Sequence, residues 1–204
     1  MFTLAAAGMK WTKMTNYVSD TQHPHLGGNL AAGDSWTYCP GVWDYVINRF
    51  GIAAVLDLGC GRGHSSVYFS RAGCHVIAVD GLRDNVVNCL HPAVLQDLTQ
   101  APVVAPVDLV HCHEVVEHIE EQYLDNLLDS LLNGRIILMT NGLPGQAGYH
   151  HVNLQETQYW IDHLTARGCE YLEDDTQRIR KLASQDGAWH MARSGTLFFN
   201  PINN

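Results

Sequence analysis

The sequence predicts an α/β protein built on a doubly wound, mostly parallel sheet. Apolar runs with strand character alternate with helical patterns over most of the 204 residues, beginning with the run 52–58. Gly59, Gly61 and Gly63 follow that run directly, at every second position. Alternation of strands and helices is typical of a parallel sheet, and a glycine-rich turn after the first strand is typical of nucleoside cofactor sites.

The glycine-rich loop 59–63 has a physical reason to approach a ligand. Glycine has no Cβ, so the chain can turn tightly and lie against a bound molecule. The helix predicted from about residue 64 to residue 72 offers its free backbone N–H groups at the same place. A second apolar run, 74–79, ends at Asp80. A carboxylate there can accept hydrogen bonds from both ribose hydroxyls, so these features predict a nucleoside cofactor.

Two details argue against a dinucleotide as that cofactor. The pattern G-x-G-x-x-G requires a third glycine where this chain has His64. Asp57, just before the glycines, would repel a pyrophosphate, whereas it suits a cofactor that carries an ammonium group and a sulfonium. A nicotinamide oxidoreductase is therefore the least favoured alternative.

The stretch Asp-Leu-Gly-Cys-Gly-Arg-Gly at 57–63 resembles motif I of the class I S-adenosylmethionine-dependent methyltransferases. Segments similar to the family's later motifs follow in its order at 80–82, 95–99, 107–119 and 131–140. The resemblance covers about 36–173, and a last strand is predicted at 196–200. It implies the Rossmann-like methyltransferase fold with seven strands, and S-adenosyl-L-methionine as the cofactor.

The resemblance also implies a set of cofactor contacts. Asp57 would hold the amino group of the cofactor, directly or through water, and Asp80 would bind the ribose. Asp97 with Leu98 would bind the adenine, while the segment 36–38 would close over the methionine end. The expected cofactor-binding residues are Trp36, Tyr38, Asp57, Gly59, Cys60, Gly61, Gly63, Asp80, Gly81, Leu82, Asp97, Leu98 and His113.

Titratable side chains are concentrated where the acceptor is expected, beyond the ends of the fourth and fifth strands. A histidine is suited to removing a hydroxyl proton near neutral pH. We expect His118 or His151 to be this base, with Glu114 as a further catalytic candidate. The alternative is that Glu114 and His118 only shape the turn after the fourth strand.

The run Glu114-Val-Val-Glu117-His118 also resembles the metal site of small-RNA 3′-terminal 2′-O-methyltransferases. Some ubiquinone-pathway O-methyltransferases share it, so the motif does not identify RNA as the acceptor. Oxygen and imidazole ligands suit magnesium, manganese or zinc. This chain has Ile119 after His118 and therefore lacks a His-His pair at these positions, so we expect no metal.

O-methylation of a small molecule or of a sugar-type hydroxyl is the favoured function. A metal-assisted RNA 2′-O-methyltransferase and a non-catalytic cofactor-binding subunit are the alternatives. The net charge of −9 and the absence of a long basic run argue against nucleic acid, which leaves a small-molecule or glycan acceptor. Neither oligomeric state nor the methylated atom is indicated by the sequence.

Six cysteines without a C-x-x-C pair favour buried, reduced thiols and a reducing compartment. The amino-terminal residues lack the basic region of a signal peptide, and no apolar run is long enough to span a membrane. These observations predict a cytoplasmic protein.

Two units are predicted along the chain, an amino-terminal lid over 1–38 and the methyltransferase domain over 39–204. Pro40 is expected to begin a helix that stops at Gly51. Asn153 is expected to cap a helix over 154–167, with Glu156 as its capping-box partner and Gly168 beyond its end. The polar stretch 174–194 is interpreted as an insertion before the last strand, with 177–181 as a solvated basic helix face.

Overall fold

The computed structural model describes residues 17–203, which form one seven-stranded sheet, a separate two-stranded hairpin and the helices around them. The first part of the predicted lid, 1–16, lies outside the described residues, as does residue 204. The strands are β1 (Tyr17–Ser19), β2 (Gly27–Leu30), β3 (Ala54–Leu58), β4 (His75–Asp80), β5 (Ala93–Leu95), β6 (Val107–Cys112), β7 (Gly134–Met139), β8 (Glu170–Tyr171) and β9 (Thr196–Phe199). The α-helices are α1 (Pro40–Phe50), α2 (His64–Arg71), α3 (Arg83–Val87), α4 (Leu124–Leu131), α5 (Thr157–Ala166), α6 (Glu173–Asp186) and α7 (Trp189–Ser194). Short 3-10 helices lie at Val116–His118, Glu121–Tyr123 and Pro201–Asn203.

The large sheet has the strand order β5-β4-β3-β6-β7-β9-β8. Its strands pair in parallel except β9, which runs antiparallel to both β7 and β8. The chain proceeds outward from β3 to β5 and then returns to β6 on the other side of β3. The order therefore reverses between β3 and β6, the place where open α/β sheets bind ligands. The predicted doubly wound, mostly parallel sheet is confirmed.

The central strands are buried on both faces, which explains why the sequence shows continuous apolar runs there. Val55 and Leu109 face one buried cluster, while their neighbours Leu56 and Val110 face the other. Successive residues of a strand point to opposite faces, so a strand covered on both sides needs apolar residues throughout.

Helix α1 begins and ends as predicted. Pro40 occupies its first turn, where a missing N–H costs nothing, and Gly51 ends it in the left-handed conformation with φ 64°. Val42, Trp43 and Val46 form its buried face.

The polar stretch before the last strand forms the helices α6, which packs against α1, and α7, which packs against α6. The Tyr45 hydroxyl donates a hydrogen bond to Asp175, and the Gly41 N–H donates to Asp186 Oδ2 at 2.8 Å. Arg178 and Lys181 are exposed, as predicted for a solvated basic face, but Arg180 is half-buried and donates to the Gly195 carbonyl at 2.8 Å. Between them, Ile179 is fully buried.

The capping box predicted for α5 is wrong. The helix begins later, at Thr157, and its N-cap residue is Glu156. The Asn153 side chain is buried, and its Oδ1 accepts from Gln155 Nε2 at 3.1 Å where a capping residue would accept from a helix N–H. Its Nδ2 donates to the Ile119 carbonyl at 3.2 Å.

Across residues 17–203, every helix is too short or too polar to cross a membrane. The six cysteines are unpaired, and all except Cys89 are buried. The predicted compartment stays a prediction.

Candidate active site

A cavity of about 970 Å³ opens at the carboxyl ends of β3, β4 and β6. The loops that follow these strands form its floor and walls. Residues 25–38 form much of its roof, and we call residues 17–38 the cover. The cavity lies at the switch point of the sheet, where the sequence places the cofactor.

The glycine-rich loop has the backbone that its sequence predicts. Gly59, Gly61 and Gly63 all adopt positive φ, at 72°, 54° and 75°. A Cβ at Gly59 would lie 2.4 Å from a methyl carbon of Val115, so this position has no room for a side chain. Gly59 and Gly61 line the cavity, as does Cys60.

Gly63 is the one predicted cofactor-binding residue that does not line the cavity. It is not among the residues that line the cavity, and it instead serves as the N-cap of α2. A Cβ there would lie 2.4 Å from Cys89 Sγ. The third glycine is therefore required to turn the chain into the helix beside Cys89. The other twelve predicted cofactor residues do line the cavity.

Asp80 is buried at the end of β4 and organises the loops around it. One carboxylate oxygen accepts from the Gly61 N–H at 2.8 Å, and the other accepts from the Leu82 N–H at 2.8 Å and from Asn85 Nδ2 at 3.1 Å. Burial raises the pKa of this carboxyl above its usual range, against the effect of these hydrogen bonds. A carboxylate has about four acceptor sites, so one remains for a ribose hydroxyl.

Asp57 is also buried, and both of its carboxylate oxygens have protein partners. Oδ1 lies 2.7 Å from His111 Nδ1, while Oδ2 accepts from the hydroxyls of Ser65 at 2.7 Å and Ser66 at 2.5 Å. Burial opposes ionisation, but these hydrogen bonds outweigh it and lower the pKa of Asp57. Trp43 Nε1 donates to His111 Nε2 at 3.2 Å, which leaves Nδ1 of a neutral ring as the donor to Asp57.

Asp97, the predicted adenine contact, is paired with the cover. Its Oδ1 accepts from the N–H and the hydroxyl of Thr99, both at 2.8 Å, and its Oδ2 lies 3.0 Å from His25 Nε2. Burial alone would raise the pKa of Asp97, and the hydrogen bonds from His25 and Thr99 lower it overall. Leu98 is buried beside it. His25 is thus brought to the predicted adenine end, which the sequence did not indicate.

The predicted methionine end lies between β6 and the cover. His113 is half-buried, and its two ring nitrogens are buried without a hydrogen-bond partner among residues 17–203. Burial lowers the pKa of His113 to about 3, so its ring is uncharged at neutral pH. Trp36 and Tyr38 line the cavity and remain 56% and 45% exposed, at its mouth.

His118 and His151 lie together on one side of the cavity, which we call the acceptor wall. Their ring centroids are 5.0 Å apart and their planes are nearly perpendicular. The Glu117 carbonyl accepts from the N–H groups of Val152 and Asn153, which joins the two loops that carry these histidines. Burial lowers the pKa of His118 to about 4 and also lowers that of His151. Both rings are therefore uncharged at pH 7, the state that a general base requires.

Glu114 is held as a fixed carboxylate. It has φ 55°, unusual for a residue with a side chain, and its N–H donates to Thr140 Oγ1 at 2.8 Å. Its carboxylate accepts from Thr140 Oγ1 at 2.9 Å and from Gln146 Nε2 at 2.8 Å, and lies 2.7 Å from His190 Nδ1. Burial opposes ionisation, but His190 and Thr140 lower the pKa of Glu114 to about 2. Such a weak base favours a positioning role over proton transfer.

His190 is a second residue of this site, after His25, that the sequence did not reveal. It comes from α7, and its Nε2 lies 3.7 Å from Asp34 Oδ2 while its Nδ1 faces Glu114. Burial alone would lower its pKa, but the two carboxylates raise the pKa of His190 to about 9. A single histidine in a polar stretch gives no signal of this role, because only the packing of α6 and α7 brings it to the cavity.

The atoms of three side chains converge behind the acceptor wall. Glu117, His118 and His151 each offer one ligand atom, and these atoms lie within 4.8 Å of one another. Both carboxylate oxygens of Glu117 are buried without a hydrogen-bond partner in residues 17–203. Burial raises the pKa of Glu117 well above its usual range, so the carboxyl is protonated unless a cation is bound.

A family model described as a methyltransferase domain matches residues 36–186. The chain belongs to this methyltransferase family. This family agrees with the methyltransferase fold and with the S-adenosyl-L-methionine cofactor that the motifs predict.

Curated relatives of the methyltransferase align over part of their length. A ubiquinone biosynthesis O-methyltransferase of Xylella fastidiosa (strain M23) is 33% identical over 92 residues, which cover 38% of this chain and 37% of the relative. The mitochondrial enzyme of the same description from Schizosaccharomyces pombe is 31% identical over 108 residues, covering 46% and 39%. The chain therefore spans well under half the length of these relatives.

Among solved structures, a SAM-dependent methyltransferase from Archaeoglobus fulgidus superposes with a TM-score of 0.54. The superposition covers 82% of this chain and 94% of that protein, at 18% identity. An identity this low shows the shared fold alone.

The cover of the methyltransferase depends on Gly28, whose φ is 101°. A Cβ at this position would lie 2.7 Å from His118 Cε1. Gly28→Ala should therefore displace the cover from His118 and weaken S-adenosylhomocysteine binding by roughly 5- to 150-fold, corresponding to about 1–3 kcal/mol of backbone strain and steric conflict. Calorimetric titration measures this change.

Gly73→Ala is the matched control, because Gly73 has φ 93° and open space around its Cβ position, in the turn between α2 and β4. This substitution has a similar backbone strain, but the added methyl group does not contact the cover. Equal affinities of the two variants would contradict a contact between Gly28 and the closed site.

Stability of the methyltransferase should fall as pH rises from about 6.5 to about 9, through the titration of His190. The folded-state pKa of His190, about 9, lies above its unfolded value, so the folded chain binds the extra proton in this range. The stabilisation is complete below about pH 6.5 and is lost by about pH 9, on the order of 1–3 kcal/mol. Urea unfolding at each pH gives the free energy of unfolding of the wild type and of His190→Gln, and the difference between the two should be largest at low pH. A difference that does not change with pH would contradict this prediction.

Proposed function

We propose that this methyltransferase transfers the methyl group of S-adenosyl-L-methionine to a hydroxyl oxygen of a small molecule or sugar. The cofactor would lie across the ends of β3 and β4, with its ribose at Asp80, its adenine at Asp97 and its methionine end near His113. Twelve of the thirteen residues assigned to it line one cavity, which supports this placement.

The observation that carries the proposal is the uncharged imidazole pair of His118 and His151 on the opposite wall. S-adenosyl-L-methionine, when bound, would supply its methyl group to the acceptor oxygen, and its sulfur would keep the electron pair of the broken bond. The hydroxyl proton passes to one of the two imidazoles. The carboxylate of Glu114 favours the imidazolium that forms, since its charge raises the pKa of both rings.

The names of the curated relatives agree with this acceptor class, because both are O-methyltransferases. The acidic chain, with its net charge of −9, favours a small acceptor over a polyanion. The cavity of about 970 Å³ has room for a cofactor and a small acceptor together.

The test uses S-adenosyl-L-methionine with catechol, glucose, benzylamine or a short RNA oligonucleotide, and follows S-adenosylhomocysteine by mass spectrometry. Turnover with a hydroxyl compound and not with the amine is expected, and the double variant His118→Ala/His151→Ala should lose it. Turnover with the amine alone would contradict the proposal, and turnover with RNA alone would replace the small acceptor.

A second candidate is the same transfer assisted by a divalent cation. Glu117, His118 and His151 fit such an ion, because one ligand atom of each lies within 4.8 Å of the others. Among residues 17–203, both carboxylate oxygens of Glu117 and Nδ1 of His118 also lack a hydrogen-bond partner. Magnesium, manganese or zinc, when bound there, would lower the pKa of the acceptor hydroxyl. Glu114 and Gln146 would still position the acceptor wall.

Glu117→Gln separates the two candidates. Without a cation, Glu117 is protonated, and glutamine resembles it in shape and charge, so turnover should stay within about threefold. With a cation, the variant should lose both turnover and the metal measured by plasma mass spectrometry. Glu121→Gln, an exposed change on the next turn, is the control.

A further inference from the structure

The cover is attached to the rest of the methyltransferase through the turn 34–37. Asp34 organises this turn, since its carboxylate accepts from the Trp36 N–H at 2.8 Å and its carbonyl accepts from the Thr37 hydroxyl at 2.8 Å. The turn presents Trp36 to α7, where the indole lies 5.8 Å from the Trp189 ring and 6.2 Å from the His190 ring, centroid to centroid. The turn 34–37 is therefore held by hydrogen bonds of its own and by aromatic contacts with α7.

His190 occupies the space between this turn and the acceptor wall. Asp34 approaches its Nε2 from the cover, and Glu114 approaches its Nδ1 from the turn after β6. The His113 ring lies 6.5 Å away, centroid to centroid, and the Arg193 guanidinium stacks on the adjacent Trp189 at 4.3 Å. The imidazole is thus the link between segments that are far apart in the sequence.

We infer that His190 is a positioning residue of the methyltransferase, which bridges Asp34 and Glu114 so that closing the cover and fixing the acceptor wall occur together. The inference relies on the cofactor cavity and not on the proposed acceptor class.

The contact between His190 and Glu114 lies where water has little access. The two side chains are 13% and 16% exposed, so water screens their attraction weakly. Removing one member of a weakly screened charge pair speeds dissociation more than association. Release of S-adenosylhomocysteine through the mouth at Trp36 should therefore require the bridge to open.

The test is the dissociation rate of radiolabelled S-adenosylhomocysteine, chased with unlabelled compound, at pH 7. His190→Gln and Asp34→Asn should each speed dissociation by at least about tenfold. The double variant should be no faster than the faster single variant, because both remove the same bridge. His75→Gln and Asp129→Asn, which are exposed and distant from the cavity, should stay within twofold of the wild type.

Thermal unfolding of each variant separates positioning from folding. A merely structural role would lower the melting temperature and leave the dissociation rate at the control value, which would overturn the inference. Rate increases that multiply in the double variant would overturn it as well. If His190→Gln fails to fold, Asp34→Asn decides alone, since it leaves the contact between His190 and Glu114 in place. Because no acceptor is present, failure of the proposed O-methylation would not change this result.

Discussion

Replacing both His118 and His151 with alanine should slow methyl transfer by about 10²–10⁴-fold, the usual contribution of a general base. The two rings lie 5.0 Å apart on the acceptor wall, and burial keeps both uncharged at neutral pH. The single variants identify the base, because only the residue that takes the proton should lose the full factor. The measurement is kcat at saturating S-adenosyl-L-methionine and hydroxyl acceptor.

Cofactor affinity separates this chemical role from a loss of structure. S-adenosylhomocysteine should bind the double variant about as well as the wild type, since the glycine-rich loop and Asp80 lie on the other side of the cavity. His75→Ala, on the exposed start of β4, is the control for a lost imidazole. A double variant with full kcat would exclude both histidines as the base, and loss of cofactor binding would indicate a collapsed cavity.

Local signals in the sequence were sufficient for the fold and for the cofactor side of the site. The apolar run before Gly59 predicts a strand covered on both faces, and the three glycines predict a turn with positive φ, a conformation that residues with a Cβ rarely adopt. Asp80 follows its strand directly, so its place at the edge of the sheet is set by a few neighbouring residues.

Residues whose role depends on distant packing could not be predicted in the same way. His190 reaches Glu114 and Asp34 because α6 packs on α1 and α7 packs on α6. Asn153 has the sequence context of a helix cap, yet its Oδ1 accepts from the Gln155 side chain and its Nδ2 donates to the buried Ile119 carbonyl. Glu114 belonged to a recognisable motif, but its charge state depends on His190, which the motif does not contain.

Asp80→Ala should weaken S-adenosylhomocysteine binding by roughly 10- to 150-fold, or about 1.5–3 kcal/mol, the scale of hydrogen bonds to a charged group. Two effects of the substitution act in the same direction. The ribose hydroxyls lose their proposed acceptor, and the N–H groups of Gly61 and Leu82 lose the carboxylate that holds the loop. Calorimetric titration measures the loss directly.

Asp80→Asn tells these two effects apart. The amide keeps one oxygen acceptor for a loop N–H, but it has half the acceptor capacity of the carboxylate and no charge. If Asp80→Asn binds as weakly as Asp80→Ala, most of the lost affinity comes from the hydrogen bond to the ribose. If it binds nearly as tightly as the wild type, most of the lost affinity in Asp80→Ala comes from a change in the shape of the loop. Asp129→Ala is the control, because Asp129 is exposed on α4 and does not line the cavity. If Asp80→Ala binds as tightly as Asp129→Ala, the ribose does not lie at the end of β4, and the cofactor must be placed differently in the cavity.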